Sequence, residues 1–400
     1  MSAREPARHL LHVFSTFVAA GPQVRTVELV RALGPAYRHS FVALDGRTQA
    51  FDLLRGNAGA RLLAAPLAGG PLARMGTLAR VRGLRRLMDR ERADLVLTYN
   101  WGSFDAILAA RGRGAPPHVH HEDGFNADEA VRQKRRRIWL RRFGLRRARR
   151  VVVVSERLLQ IALEVWKLPR ARVQLIRNGI EVERFATRGP AGEVRERLGI
   201  APDALVVGTV GHLRPVKRLE RLLEAAARAD PTRLGRALHV LVVGEGPERA
   251  ALEDAARRRP PPGGAVHFVG HQSELSPFYA AMDVFALSSD SEQLPVALLE
   301  ALASGLAVAA TDVGDVRVVL PPEQAPFVVP VEEPTRPQRL AAALETLLCN
   351  AALRRSLASA NRERVSKAYS FQAMQRAYRD LYEEAMAARP SAASVPDSSS

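Results

Sequence analysis

Two acids, Glu292 and Glu300, stand eight positions apart in the stretch DSEQLPVALLEALASGLAVAATD, Asp290 to Asp312. Pro295 suits the first position of a helix, where its missing N–H would have been unpaired anyway. From Val296 to Ala303 the run is apolar nearly all round, which predicts a largely buried helix. Gly305 ends it, and Leu306 to Ala310 reads as a short buried strand. A lone carboxylate on such a helix is costly without a hydrogen-bond donor. Glu300 therefore needs a partner, which the protein or a ligand can supply.

Other chemistry-bearing stretches follow apolar runs. After Leu205–Val210 comes Gly211-His212-Leu213-Arg214-Pro215-Val216-Lys217, then a helical pattern. A glycine, an arginine and a lysine at a helix start make an anion seat from N–H groups, dipole and fixed charge. The sequence is not a Walker loop, and a solvated basic helix start is the alternative reading. After Val240–Val243 comes Gly244-Glu245-Gly246-Pro247, a tight turn suited to close backbone approach. Arg249 stands where a dinucleotide fingerprint has its third glycine, so the turn is weak evidence for NAD. His118-Val119-His120-His121-Glu122-Asp123-Gly124 gathers three histidines and two acids. Alternate strand residues point to opposite faces, so a metal is not expected there, and His118 and His120 read as structural.

The segment from Lys134 to Arg150 combines an arginine run with Ile138, Trp139, Leu140, Phe143 and Leu145. As a helix it puts Trp139, Leu140 and Phe143 on one arc and Ile138 with Leu145 on another. One arc can pack on a sheet while the other, ringed by arginine, meets an anionic surface such as a membrane. A solvated arginine-rich face is the plainer alternative. No zinc finger, RNP-like sequence or helix-turn-helix supports nucleic acid.

Something must hold these stretches in place, and 400 residues provide for two or three domains. The hydrophobic content of 47% beside 25% charged residues is that of a soluble globular chain. A single cysteine, Cys349, excludes an internal disulfide and points to a reducing compartment. No run reaches the roughly 18 apolar residues of a membrane-spanning helix. The net charge of +17 is uneven: residues 1–185 carry 34 Lys and Arg against 16 Asp and Glu, residues 186–400 carry 25 against 26. Two domains with different partners would show this. Both halves alternate short apolar runs with amphipathic stretches, which predicts parallel sheets covered by helices. In the first half the runs are His9–Phe14, Phe41–Leu44, Leu95–Thr98, His118–His121, Val151–Val154 and Val173–Ile176. In the second they are Leu205–Val210, Val240–Val243, Val266–Val269 and Val308–Ala310. A hinge is expected over Asn178–Pro190 and final helices over Thr335–Ala387.

In order along the chain, these pieces resemble glycosyltransferase family 4, the retaining nucleotide-sugar transferases. The resemblance runs from Phe14 to about Tyr382. Its most specific motif is the E-x7-E pair with the helix end Ala301 to Val308. Asn178-Gly179-Ile180, followed by Phe185, looks like the family's hinge motif. Gly211 to Lys217 looks like its phosphate motif, and Gly244 to Pro247 is similar to its second nucleotide turn.

The resemblance implies an α/β protein of GT-B fold: two Rossmann-like domains with parallel sheets facing across a cleft, and a C-terminal helix crossing back. The expected division is residues 1–185 for the acceptor, 186–369 for the donor, 370–388 for the crossing helix and 389–400 for a disordered tail. It further implies that Glu300 takes the nucleotide ribose, Glu292 the donor sugar, and Lys217 with Arg214 the diphosphate. A ribose diol can give both its hydroxyl protons to one carboxylate, which repays burial. Gly21, Gly211, His212, Gly244, Gly246, Gln293, Leu294 and Pro295 would line the donor, and His121 or Asp123 would face the sugar from the first domain. Three departures stand out: His212 replaces an arginine, Gln293 replaces a glycine, and Pro22 within Ala20 to Arg25 cannot donate an N–H.

The expected activity is therefore retaining transfer of a sugar from a nucleotide diphosphate sugar to a glycan or lipid-linked acceptor. No metal or other cofactor and no nucleic acid are expected. An anionic membrane surface is a candidate partner of Lys134 to Arg150, on the cytoplasmic side. A nucleotide-sugar epimerase of the same fold and a basic nucleic-acid-binding protein are the alternatives.

Overall fold

The computed structural model describes residues 7–63, 76–111, 114–125, 127–129, 133–186, 191–331 and 336–387. The tail expected over 389–400 and the last residues of the expected hinge segment lie outside them. Seven strands form the first sheet: β1 (Arg8–Phe14), β2 (Tyr37–Ala43), β3 (Ala60–Leu62), β4 (Leu95–Tyr99), β5 (His118–Glu122), β6 (Arg150–Val153) and β7 (Val173–Leu175). Six form the second: β8 (Leu205–Val210), β9 (Leu238–Val243), β10 (Val266–Phe268), β11 (Val284–Leu287), β12 (Ala307–Thr311) and β13 (Val328–Val329). The orders are 3-2-1-4-5-6-7 and 10-9-8-11-12-13, and the strand pairs are parallel. This is the expected pair of Rossmann-like sheets.

Strand periodicity explains how the first sheet is covered. On β1, Leu10 and Phe14 join Val27, Tyr378 and Leu381 in one core, while Leu11 and Val13 join Leu84, Leu87 and Met88 in another. Successive side chains point to opposite faces, so both faces need helices. The helix Gly21–Leu33 and the final helix Phe371–Ala387 cover the first face, and Thr77–Glu91 covers the second. Each fully buried Leu or Phe here contributes about 1.5–3 kcal/mol.

The final helix packs on the first sheet although its sequence follows the second, so the chain crosses between the domains twice. The crossings pair: Ile180 N–H donates to the Tyr369 carbonyl (2.9 Å) and Phe371 N–H to the Ile180 carbonyl (2.9 Å). A Cβ on Gly179 would overlap the Ser370 carbonyl, so close backbone approach requires glycine at this point of the hinge motif.

Three strands had no counterpart among the expected runs: β3, β11 and β13. Strand β11 is central, between β8 and β12. Its four residues follow the apolar helix Ser276–Ala280 after a short turn that contains neither glycine nor proline, so periodicity does not separate the two. The E-x7-E helix spans Val296–Ala303, so Pro295, expected at the first helical position, is instead its cap.

Lys134 to Arg150 contains the helix Arg135–Leu145, whose faces differ from the expected arcs. Arg141 points inward and is 1% exposed. Its guanidinium donates to both carboxylate oxygens of Glu129 at 3.2 Å and lies near Glu122 and the rings of Trp101, Phe125 and Trp166. Gly144 and Leu145 pack inward with it. Trp139 and Phe143 are exposed at 61% and 49% and stack on each other. Leu140, expected on their arc, instead packs partly against the core. Arg141 was expected among the outward arginines, and a buried acid pair that sequence spacing does not show draws it in.

Candidate active site

Both sheets change strand order at one point: β1 against β4, and β8 against β11. Crevices form there beyond the carboxyl ends of the strands. Gly211 follows β8 and Glu292 follows β11, so the two candidate donor motifs meet at the switch point of the second sheet.

Lys217 is held from below. Its carbonyl accepts from Ser288 Oγ (3.0 Å), and the neighbouring Val216 carbonyl accepts from Asp290 N–H (2.9 Å). Its ammonium lies 2.6 Å from Glu292 Oε1, which also accepts from Ser289 Oγ at 2.7 Å. An ammonium has three donors, so two remain for an anion. The expected helix does not begin directly at Lys217. Pro215–Lys217 is a single tight turn, and Arg218, with φ of 48°, separates it from the helix Leu219–Ala227. Arg218 and Arg221 are both committed to Asp290 at 2.6 Å. His212 and Arg214 are exposed beside this turn. Burial, then Arg214, lowers the His212 pKa, opposed by the Glu245 backbone. His212 is therefore neutral near pH 7, and Arg214 is the exposed cation beside it.

Glu300 faces the first domain. The Tyr279 hydroxyl donates to its Oε2 at 2.7 Å, while Oε1 has no hydrogen bond among the described residues. Burial pushes its carboxyl up to about 7, with Glu28 of the first domain adding to the rise and Tyr279 and Arg184 opposing it. The partner that Glu300 needed is thus supplied in part by Tyr279, a residue the sequence reading missed. Tyr279 lies outside every motif, and only the fold brings it near.

Gly244 and Gly246 approach backbone closely, and the backbone is the protein's own. A Cβ on Gly244 would overlap the Gly211 carbonyl, and one on Gly246 the Leu213 backbone. Leu213 N–H donates to the Glu245 carbonyl (2.9 Å), which locks the two loops together. Gly21 differs: it opens the helix Gly21–Leu33, and a Cβ there would meet nothing within 4 Å. Packing does not demand that glycine.

On the first-domain side, His121 departs from expectation. Its Nδ1 lies 3.2 Å from the Thr98 carbonyl and its Nε2 3.1 Å from the Tyr382 hydroxyl, and its ring stacks on Tyr99 and Tyr378. At 1% exposure under the final helix, it cannot face a sugar. The crossing helix covers it, and the sequence register could not show this. His118 Nε2 and His120 Nδ1 share the Thr98 hydroxyl at 2.7 and 2.9 Å. Among the described residues no three His, Cys, Asp or Glu converge as metal ligands.

Asp123 pairs with the buried Arg25 through its Oδ1, and Arg25 also donates to Asn178 Oδ1 at 3.1 Å. Burial works against the Arg25 charge, and Asp123 with Tyr378 more than offsets it, so its pKa is raised. Asp123 Oδ2, Gln23 Oε1 and Thr16 Oγ1 are buried without a hydrogen-bond partner among the described residues. Buried polar atoms seldom stay unpaired, and the Asp123 and Gln23 oxygens are acceptors that a ligand hydroxyl would satisfy.

The loop Gln293-Leu294-Pro295 joins the two sides. Ser155 Oγ donates to Gln293 Oε1 (3.1 Å), and Asn178 Nδ2 donates to the Leu294 carbonyl (3.2 Å). Asp315 N–H donates to the Gln293 carbonyl (2.9 Å), and its carboxylate accepts the Glu156 and Arg157 N–H groups at 2.7 and 3.1 Å. The Gln293 side chain, where the family has glycine, spans the domain junction, while Leu294 and Pro295 are buried.

A family model described as "Glycosyl transferase 4-like domain" matches residues 20–179, and one described as "Glycosyl transferases group 1" matches residues 191–364. The chain belongs to the family 4-type glycosyltransferases. This glycosyltransferase is 29% identical over 320 residues to the D-inositol 3-phosphate glycosyltransferase of Saccharomonospora viridis, spanning 74% of this chain and 71% of that one. It is 28% identical over 229 residues to the UDP-Gal:alpha-D-GlcNAc-diphosphoundecaprenol alpha-1,3-galactosyltransferase of Escherichia coli, spanning 56% of this chain and 59% of that one. Among solved structures it resembles Anabaena Alr3699/HepE in complex with UDP and glucose, with a TM-score of 0.75 and 18% identity over 93% of this chain and 98% of that one. That likeness is one of GT-B fold.

Proposed function

We propose that this glycosyltransferase moves a sugar from a nucleoside diphosphate sugar to a lipid-linked or cell-envelope glycan acceptor, with retention at the anomeric carbon. The observation that carries the reading is the placement of Lys217, Glu292 and Glu300 around one strand switch point. Glu300 Oε1 accepts the ribose hydroxyls, with Tyr279 holding Oε2. The two free ammonium protons of Lys217, with Arg214, take the diphosphate. Glu292 takes a sugar hydroxyl. Gly211, His212, Gly244 and Gly246 shape the donor floor, and Gly21 leaves room for the donor from across the cleft.

As the bond from the anomeric carbon to the diphosphate oxygen breaks, negative charge grows on the leaving group. Fixed cations aimed there stabilise the transition state more than the ground state. Arg214 and Lys217 fill the role a divalent cation would otherwise take, so transfer proceeds in EDTA. Asp123, held by Arg25, faces the hydroxyls of the sugar or acceptor through Oδ2. Residues 1–185 thus serve the acceptor and 186–369 the donor, with 370–388 closing the first domain.

Two observations favour a lipid-linked acceptor. The Escherichia coli relative is named for a diphosphoundecaprenol substrate. The exposed Trp139–Phe143 stack also lies on the helix that bears Arg135, Arg136 and Arg142, and Arg111 stacks on Phe143. Aromatic anchors ringed by arginine suit the headgroup layer of an anionic leaflet. No helix among the described residues is long and apolar enough to cross a membrane, so the proposed attachment is peripheral, on the cytoplasmic face. Thermal shift across nucleotide sugars, then proton NMR of the product made on a lipid-linked acceptor, tests the reading. Stabilisation by a donor and a retained anomer support it. An inverted anomer, or conversion of the donor without acceptor, overturns it.

A further inference from the structure

At the opposite pole of the second domain the structure holds a cavity of about 990 Å³. It is lined by Leu205 entering β8, Asp283 before β11 and Leu306 before β12, all at the amino ends of the strands. The donor loops follow the carboxyl ends. Strand β8 has 6 residues, so roughly 20 Å of sheet separates the two sites at about 3.3 Å per residue.

Five arginines line this cavity against three carboxylates. Asp283 is already engaged by Arg195 (3.0 Å) and by the Val206 N–H (2.9 Å). Arg354 donates to the Leu347 and Leu348 carbonyls at 2.7 and 2.5 Å, which fixes its guanidinium at the wall. Arg236 and Arg355 are exposed and make no hydrogen bond or ion pair among the described residues. Burial lowers the Arg354 pKa, Asp283 opposes this, and Arg236 and Arg355 lower it further. Asp283 Oδ1 lies 3.8 Å from Arg354, but this one carboxylate is shared with Arg195, so the charges of Arg236 and Arg355 beside it stay unbalanced.

We propose that this cavity binds a small phosphorylated metabolite, its phosphate held between Arg236, Arg354 and Arg355, at a site separate from the donor cleft. Guanidinium forks match phosphate oxygens two at a time. Met282, Leu306 and Ala358 provide an apolar wall for the carbon skeleton, and the volume lies within the range of small-molecule sites.

Inorganic pyrophosphate is a suitable calorimetric probe, used on full-length K217A so that the donor cleft is weakened. Pyrophosphate binds K217A. Adding R236Q and R355Q weakens that binding at least tenfold with an unchanged circular dichroism spectrum, and R236K/R355K recovers part of it. R236Q alone gives an intermediate loss, should the double variant fold poorly. No binding to K217A, or binding that R236Q and R355Q leave unchanged, overturns the proposal.

Discussion

Lys217 Nζ lies 2.6 Å from Glu292 Oε1, so the group proposed for the diphosphate holds the group proposed for the sugar. Residues in one ion pair do not act independently. K217A and E292A each lower kcat, and K217A/E292A loses less than the product of the two losses. The coupling expected from a double-mutant cycle on kcat/KM is on the order of 1 kcal/mol. Additive losses would separate the two roles.

Glu300 brings a pH dependence. Burial raises its pKa to about 7, so the folded state holds this proton more tightly than the unfolded chain does. Its contribution to stability is complete below the ordinary carboxylate value and is lost as pH rises through 7. Donor binding is expected to run the other way, because the ribose hydroxyls proposed to donate to Glu300 pair best with its ionised form. Affinity for a nucleotide diphosphate sugar, whose doubly esterified diphosphate does not titrate here, rises about tenfold from pH 6 to pH 8. E300Q flattens this profile, and E28Q shifts its midpoint down. A flat profile in the wild type would remove the ionised carboxylate from donor recognition.

Tyr279 positions Glu300 from within the core. Y279F keeps the ring's packing and deletes a charge-assisted hydrogen bond, a change of about 1.5–3 kcal/mol. Nucleotide affinity is expected to fall roughly tenfold by calorimetry, with the pH midpoint of donor binding displaced upward. Loss of thermal stability without either change would make Tyr279 purely structural.

The arginine helix separates two kinds of arginine. R141M strips Glu122 of its arginine and leaves Glu129 with Arg137 alone, a loss of about 3–5 kcal/mol that thermal melting detects. R135Q/R136Q leaves the melting temperature unchanged and releases the protein from anionic vesicles in sedimentation. W139S/F143S weakens pelleting further, and neutral vesicles pellet none of these proteins. A wild type that ignores anionic vesicles at moderate salt would make this face a solvated one and the acceptor soluble.

Much of the fold could be read from sequence because parallel strands covered on both faces are continuous apolar runs. Ten such runs fall on strands of the structure. The misses were local in cause. Strand β11 had no turn residue to divide it from the helix before it, and β13 has only 2 residues. Among the candidate site residues, Glu300 and Lys217 stood out because each broke the pattern around it, a charge in an apolar helix and a basic turn after a strand, whereas Glu292 stood out only through the E-x7-E resemblance. His121 misled because nothing local reveals that a helix some 260 positions later covers it. Tyr279 and Arg25 act through contacts made by folding, and no spacing rule reaches them. Gly244 and Gly246 were read correctly as close approaches, but the backbone they approach is the chain's own.

Calorimetry with the bare nucleoside diphosphate tests whether Glu300 grips the nucleotide and Glu292 the sugar. Wild type, E300A and E292A are compared under one set of conditions, followed by turnover with the complete donor. E300A is expected to bind the nucleoside diphosphate at least tenfold more weakly. E292A keeps most of the wild-type affinity and instead loses kcat. Equal losses of nucleoside diphosphate affinity in both variants, or none in E300A, would contradict it.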